Sequence, residues 1–224
     1  MIEKLRFQPF DDNGEGRVYY HGFLPHWRQT GCTYFVTFRL ADSVPQGVLD
    51  QWTLEKRAWL QHRVGECSDD SDVIKKLSKA DRLMFCRAFS SKLFNELDRS
   101  HGDCIMRNRD MSLIVFDAMT HFHGERVECG DLVIMPNHVH ALLTPLGRYE
   151  LEDILHSVKS FSAHAINAAL KEKGVVWMKE SHDHIVRDAE ELLRIQAYIR
   201  SNPERAGVPE GQFRLRAVEY QLDV

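Results

Sequence analysis

Residues 131–145, DLVIMPNHVHALLTP, constrain the fold of this chain more than any other stretch. They form an apolar run broken once, at Pro136 and Asn137, a residue pair that favours a corner. The run therefore reads as two strands, residues 132–135 and then 138–144. Side chains alternate along an extended backbone, so His138 and His140 leave the second strand on one face. Two imidazoles between apolar flanks need partners, because burying polar groups unpaired is costly. A metal, a carboxylate or a substrate phosphate would each serve. On spacing alone, the pair reads equally well as core histidines bonded to backbone or to a buried acid.

The surrounding pattern mixes strand and helix. Residues 33–40, TYFVTFRL, are β-branched and aromatic with partial alternation, and read as the first strand of the sheet. Residues 1–32 are polar and broken by Gly14, Gly16, Gly22 and Gly31; they read as an irregular lead-in, with 25–28 packing as a loop. Over 46–101, apolar residues such as Trp52, Leu60, Leu77, Phe85 and Phe94 recur at helical spacing and predict two or three helices. A polar loop at 66–72 separates them, with Ser71 or Asp72 placed to cap the next helix. Residues 112–121 fit helix or strand, and 126–129 a short connection.

Leu151, Ile154, Leu155, Val158 and Phe161 begin an amphipathic helix over 151–170 that ends near Gly174, and a short strand is possible at 175–178. Asp188, followed three residues later by Glu191, has the form of a capping box. Leu192, Ile195 and Ile199 carry the helix onward. It is expected to stop at Asn202 and Pro203, because the residue before proline is pushed out of the helical region. A short tail follows.

At 224 residues and 43% hydrophobic, the chain is expected to form one domain, 1–224, with a helical insertion at 46–110. No apolar run reaches the roughly 18 to 20 residues of a membrane span, and the start lacks a secretory core. A cytoplasmic protein is expected. The five cysteines are scattered without a C-x-x-C pair, which argues against a disulfide framework or a cysteine zinc site. A net charge of -4 gives no bulk attraction for nucleic acid, although a recessed site with local arginines would still bind phosphates.

Three H-x-H triplets occur: His121 and His123, His138 and His140, His182 and His184. The first adjoins Gly124 at an element end and reads as solvated. The third precedes the capped helix and could support a site. Only the middle pair lies in a strand with apolar flanks on both sides. On the capped helix, Arg194, Tyr198 and Asn202 follow one another at intervals of four, giving a polar line beside the apolar stripe. Tyr198 would then stand at the edge of the core, its hydroxyl facing a cleft.

Three ordered motifs, MPNHVH at 135–140, DHIVRD at 183–188 and YIRSNPERAG at 198–207, resemble the single-tyrosine transposases of the HUH endonuclease superfamily. Within these they are most similar to the REP-associated tyrosine transposases. The resemblance implies an α+β, ferredoxin-like antiparallel sheet with helices on one face, plus a helical insertion after the first strand. It implies His138 and His140 as ligands of Mg²⁺ or Mn²⁺, with Asn202 as a third polar group at the metal, and Tyr198 as the nucleophile. The implied activity is DNA transposition and recombination: single-stranded DNA is cleaved near a hairpin through a 5′-phosphotyrosine and later rejoined, by a monomer or homodimer. Lys159, His184, Arg187, Arg194 and Arg205 are candidate DNA contacts. Two features depart from the family: 46–110 is long, and Ser181 and His182 stand where aromatics are common. A hairpin-binding protein that no longer cleaves, and a hydrolytic nuclease with a structural Tyr198, are the rival readings.

Overall fold

The computed structural model describes residues 3–11, 14, 16–21, 24–65 and 76–222, by backbone alone at 17–21, 24–26 and 79. The strands are β1 Lys4–Arg6, β2 Gly16–His21, β3 Leu24–Gln29, β4 Tyr34–Arg39, β5 Val127–Ile134, β6 His138–Pro145, β7 His182–Ile185, β8 Arg214–Arg216 and β9 Glu219–Gln221. The helices are α1 Gln46–Val64, α2 Lys79–Leu97, α3 Arg109–Thr120, α4 Leu151–Leu170 and α5 Ala189–Arg205, with a 3₁₀ turn at Ile105–Arg107. The central sheet has the order β7-β4-β6-β5-β8 with every pairing antiparallel. The path β4, α3, β5, β6, α4, β7 through the order β7-β4-β6-β5 is the ferredoxin-like arrangement, with β8 added at the β5 edge.

Strand β4 explains its own weak alternation: all six residues are buried, because both faces of the sheet are covered. Tyr34, Val36 and Phe38 face α3 and α4, whose Val115, Met119, Ile154, Leu155 and Val158 complete one core. Phe35, Val133, Met135 and Leu142 face the other way, where Leu192, Ile195 and Ile199 of α5 seal a second core with Phe94 of α2 against it. The expectation of helices on one face thus describes the pair α3 and α4. Helix α5 and the end of α2 lie across the opposite face, the one that carries the histidines.

Several expectations are corrected. The lead-in is not irregular: β2 and β3 form an antiparallel hairpin that takes in 25–28, and β1 pairs in parallel with β9. Frequent glycine hid these strands, and the partner of β1 is distant in sequence. Of the two readings open for 112–121, helix is the one found, with α3 ending at Thr120 and His121 as its C-cap. Residues 126–129 belong mostly to β5, which continues to Ile134 across an irregularity between Cys129 and Leu132. The possible strand at 175–178 is a single bridge from Trp177 to Leu40. The tail contains β8 and β9. The loop at 66–72 and its capping residues lie outside the described residues, and Ser78 is the residue that caps α2, accepting from the Asp81 N–H at 3.0 Å.

Helix α5 does not stop at Pro203 but runs two residues further, to Arg205. Proline at this position forfeits one bond, to the Ile199 carbonyl, and its ring is buried in exchange. The end is closed by Ala206 N–H on the Asn202 carbonyl (2.9 Å) and Val208 N–H on the Pro203 carbonyl (2.8 Å). At its start, Asp188 accepts from the Glu191 N–H at 2.7 Å, and Glu191 reaches back to the Arg187 N–H at 2.8 Å. Midway, Asp131, 0% exposed, takes the Arg200 guanidinium at 2.8 and 3.2 Å and also the Gln196 amide. These contacts set both the height and the rotation of α5 on the sheet.

Candidate active site

The helix so placed brings Tyr198 to the histidine strand. Its hydroxyl lies 3.2 Å from His140 Nε2, and the two rings meet edge to face with centroids 5.1 Å apart. Phe35 stacks on the other side of His140 at 5.5 Å and 23°, and Phe94 meets it edge-on at 5.4 Å. His138 and His140 are each 0% exposed, with centroids 4.6 Å apart. The strand period put them on one face, and the second core made that face dry.

Hydrogen bonds fix which nitrogen of His138 is available. Asn137 donates its amide to the His101 carbonyl at 3.1 Å, so its oxygen faces His138 Nδ1 at 2.7 Å. An amide oxygen only accepts, so Nδ1 carries the proton and His138 Nε2 carries a lone pair. That Nε2 is buried with no hydrogen-bond partner, and so is Asn202 Oδ1. The Asn202 amide is near enough to favour protonation of His138, yet burial dominates and holds the imidazole down at about 3. Burial, with His138 beside it, likewise keeps His140 neutral. Its Nδ1 is 2.6 Å from Thr37 Oγ1, on the register partner in β4. His138 Nε2 and Asn202 Oδ1 are therefore two buried acceptors with no donor between them, beside a second neutral imidazole.

Such a set fits a divalent cation: neutral nitrogens and one oxygen, each oriented by a further hydrogen bond. His138 Nε2, His140 Nε2 and Asn202 Oδ1 would hold it. His140 Nε2 also meets the Tyr198 hydroxyl, and one lone pair cannot serve both, so Tyr198 must release His140 for the ring to act as a ligand. Burial raises the Tyr198 phenol well above its usual range, with Asp98 adding to the rise and Arg205 opposing it. Among the described residues, another convergence of possible ligands is Glu3, His123 and Glu128. That group satisfies itself: His123 Nδ1 accepts from the Cys129 N–H at 2.9 Å, Nε2 bonds Glu3 at 2.6 Å, and Arg216 pairs with Glu3.

The remaining candidates separate. His184 abuts Phe35 and lies 3.6 Å from Glu191, and Arg205 rests over the Tyr198 ring at 5.1 Å. Lys159 is bonded to the Lys179 carbonyl at 2.8 Å, and burial lowers its ammonium to about 8. Arg187 is exposed at the start of α5, and Arg194 is exposed and paired with Glu190 at 2.5 Å. Three residues of the site have no sequence signal of their own: Thr37, Phe94 and Asp98. They arrive through register and through the docking of α2. Ser90, on the same helix, bonds His182 Nε2 at 2.6 Å.

Residues 116–202 match the family of IS200-like transposases, a span that contains His138, His140 and Tyr198 and ends at Asn202. Over that stretch, rather under half of its length, the chain is similar to IS200-like transposases. A solved REP-associated tyrosine transposase bound to a REP hairpin is similar at 16% identity, covering 87% of this chain and 74% of that one, with a TM-score of 0.43. A candidate transposase from Deinococcus radiodurans is similar at 15% identity over 76% of this chain and 89% of that one, with a TM-score of 0.33. No curated protein matches.

Proposed function

We propose that the protein is a metal-dependent single-tyrosine transposase that nicks and rejoins single-stranded DNA near hairpins. The observation that carries the reading is the meeting of Tyr198 with His140 beside two facing, unpartnered acceptors, His138 Nε2 and Asn202 Oδ1. The IS200-like match over 116–202 supports it.

Tyr198 supplies the attacking oxygen. A bond forms between its Oη and the phosphorus, the bond from phosphorus to the 3′-oxygen breaks, and the phenolic proton ends on the released 3′-hydroxyl. The 5′-phosphate stays on tyrosine, so a later 3′-hydroxyl can reverse the step and join strands. A bound Mg²⁺ or Mn²⁺ would supply Lewis acidity, drawing charge from the phosphate oxygens. Phe35 and Phe94 confine the His140 ring and exclude water around it. Arg205, over Tyr198 and exposed, offers a cation to the DNA backbone, with His184 beside Phe35 on the same face, whereas Lys159 stands on α4 across the sheet.

The test is a labelled hairpin oligonucleotide with a single-stranded flank, incubated with the protein and Mg²⁺ or Mn²⁺, then resolved under denaturing conditions. A protein-linked labelled band is expected, lost in Tyr198→Phe and in the His138→Ala/His140→Ala double variant. Adduct formation by Tyr198→Phe at the wild-type level would remove Tyr198 from the chemistry. Binding without an adduct in either metal would select the reading of a hairpin-binding protein, and free 5′-phosphate ends would select hydrolysis.

A further inference from the structure

We propose that Asp98, at the C-terminal end of α2, is a positioning residue that holds the Asn202 amide with its oxygen towards His138, so that the helical segment after β4 completes the site. The inference rests on the metal-dependent reading above.

An asparagine side chain has two orientations of nearly equal shape, and its partners decide between them. Asn202 Nδ2 lies 3.0 Å from Asp98 Oδ1. A carboxylate only accepts, so the NH₂ group must face Asp98 and the oxygen must face the other way. That oxygen is buried without a partner, as is His138 Nε2. With the amide rotated, NH₂ would donate to the His138 lone pair and close the site to a cation. Asp98 excludes that state. Asn202 is 0% exposed, so no solvent is at hand to substitute for the carboxylate.

The carboxylate is itself held in place. Asp98 is the C-cap of α2, in helical conformation, and its N–H bonds the Phe94 carbonyl at 3.0 Å. Its half-buried side chain faces Asn202, Tyr198 and Arg205, all from α5. One turn back, Phe94 packs on His140 and Tyr198, and one turn further Ser90 bonds His182. Ser90, Phe94 and Asp98 are four residues apart, so they form a single line along one face of the helix. Every member of that line touches a residue of the histidine and tyrosine cluster. The lobe is thus a wall of the site and not an appendage to it.

The experiment titrates Mn²⁺ into the DNA-free full chain and follows the free ion by electron paramagnetic resonance. Asp98→Ala is expected to weaken binding by about 10–100-fold, the usual effect of losing a residue that orients a ligand. Asp98→Asn, whose oxygen can still accept from Asn202, should bind nearly as wild type does. Asp98→Ala combined with Asn202→Ala should bind no more weakly than Asn202→Ala alone, since the two act through one atom. Unchanged affinity in Asp98→Ala overturns the proposal. So does Asp98→Asn binding as weakly as Asp98→Ala, because the charge would then act on the ion directly. Failure of the wild type to bind Mn²⁺ overturns the metal reading itself. A metal-free readout separates the two: proton exchange at the Asn202 side-chain amide, by ¹⁵N NMR, should be slow in wild type and Asp98→Asn and fast in Asp98→Ala. Equal exchange in all three would refute the positioning role on its own.

Discussion

The contact between Asp131 and Arg200 predicts that removing either partner has a different cost, although the same bond is lost. Asp131 has a fully buried side chain, whereas that of Arg200 is 43% exposed. Arg200→Ala leaves a carboxylate in the interior with the Gln196 amide and no cation. An uncompensated buried charge costs about 3–5 kcal/mol. Asp131→Ala leaves an arginine that can turn to water and keep its 2.7 Å bond to the Val218 carbonyl, while Gln196 keeps the same carbonyl at 3.2 Å. The loss there is about 1–2 kcal/mol. With a urea dependence of about 3 kcal/mol per molar, the midpoint should fall by about 1 M or more in Arg200→Ala and by about 0.5 M in Asp131→Ala. The double variant should be more stable than Arg200→Ala alone. Equilibrium urea unfolding followed by far-UV circular dichroism measures all three. A larger shift for Asp131→Ala, or a double variant weaker than Arg200→Ala, would refute the account of a dry carboxylate answered by a half-wet cation.

Two further outcomes follow from the site and its supporting helix. Thr37→Val removes the hydroxyl that bonds His140 Nδ1 while keeping the shape of β4, and should weaken Mn²⁺ binding by about 10-fold or more and, by leaving that buried nitrogen unpaired, lower the unfolding free energy by about 1–3 kcal/mol. Glu191 carries a pH dependence of definite sign: burial alone would raise its carboxyl, but His184 and the Arg187 N–H together bring it down to about 2. Its folded value lies below its unfolded one, so the carboxylate contributes stability that is complete above about pH 5 and lost as pH falls towards 2. The stability difference between wild type and Glu191→Gln should therefore be constant near neutrality and shrink across that acid window. A difference that grows on acidification would contradict the assignment.

What the sequence discloses depends on how local the cause is. The hairpin of β5 and β6, helix α4 and the capped start of α5 are legible because each is dictated within its own residues, by apolar period or by cap chemistry. Strand β7 is not, because HDHI has no strand pattern until β4 pairs with it. The same holds for β8, where three residues acquire strand geometry only from Leu132 to Ile134. His138, His140 and Tyr198 stand out by type and spacing, and Asn202 by its distance from Tyr198. Asn137 reads as a corner residue, yet its amide also decides which nitrogen of His138 is free. Asp98 is one acid among many in a charged lobe, and its place opposite Asn202 is a consequence of how α2 docks. Arg194 shows the limit of counting by fours: the helix turns slightly short of that interval, and two steps from Asn202 it already points outward.

Both halves of the cleft come from a single polypeptide, with β6 and α5 packed through one continuous core. Strand cutting should therefore be first order in protein, with a rate per molecule independent of concentration. Mixing Tyr198→Phe with a His138→Ala/His140→Ala chain should restore nothing, because no exchange of elements between copies is needed to assemble a working centre. Recovery of the labelled adduct in that mixture would reveal a shared, swapped arrangement in place of a self-sufficient one.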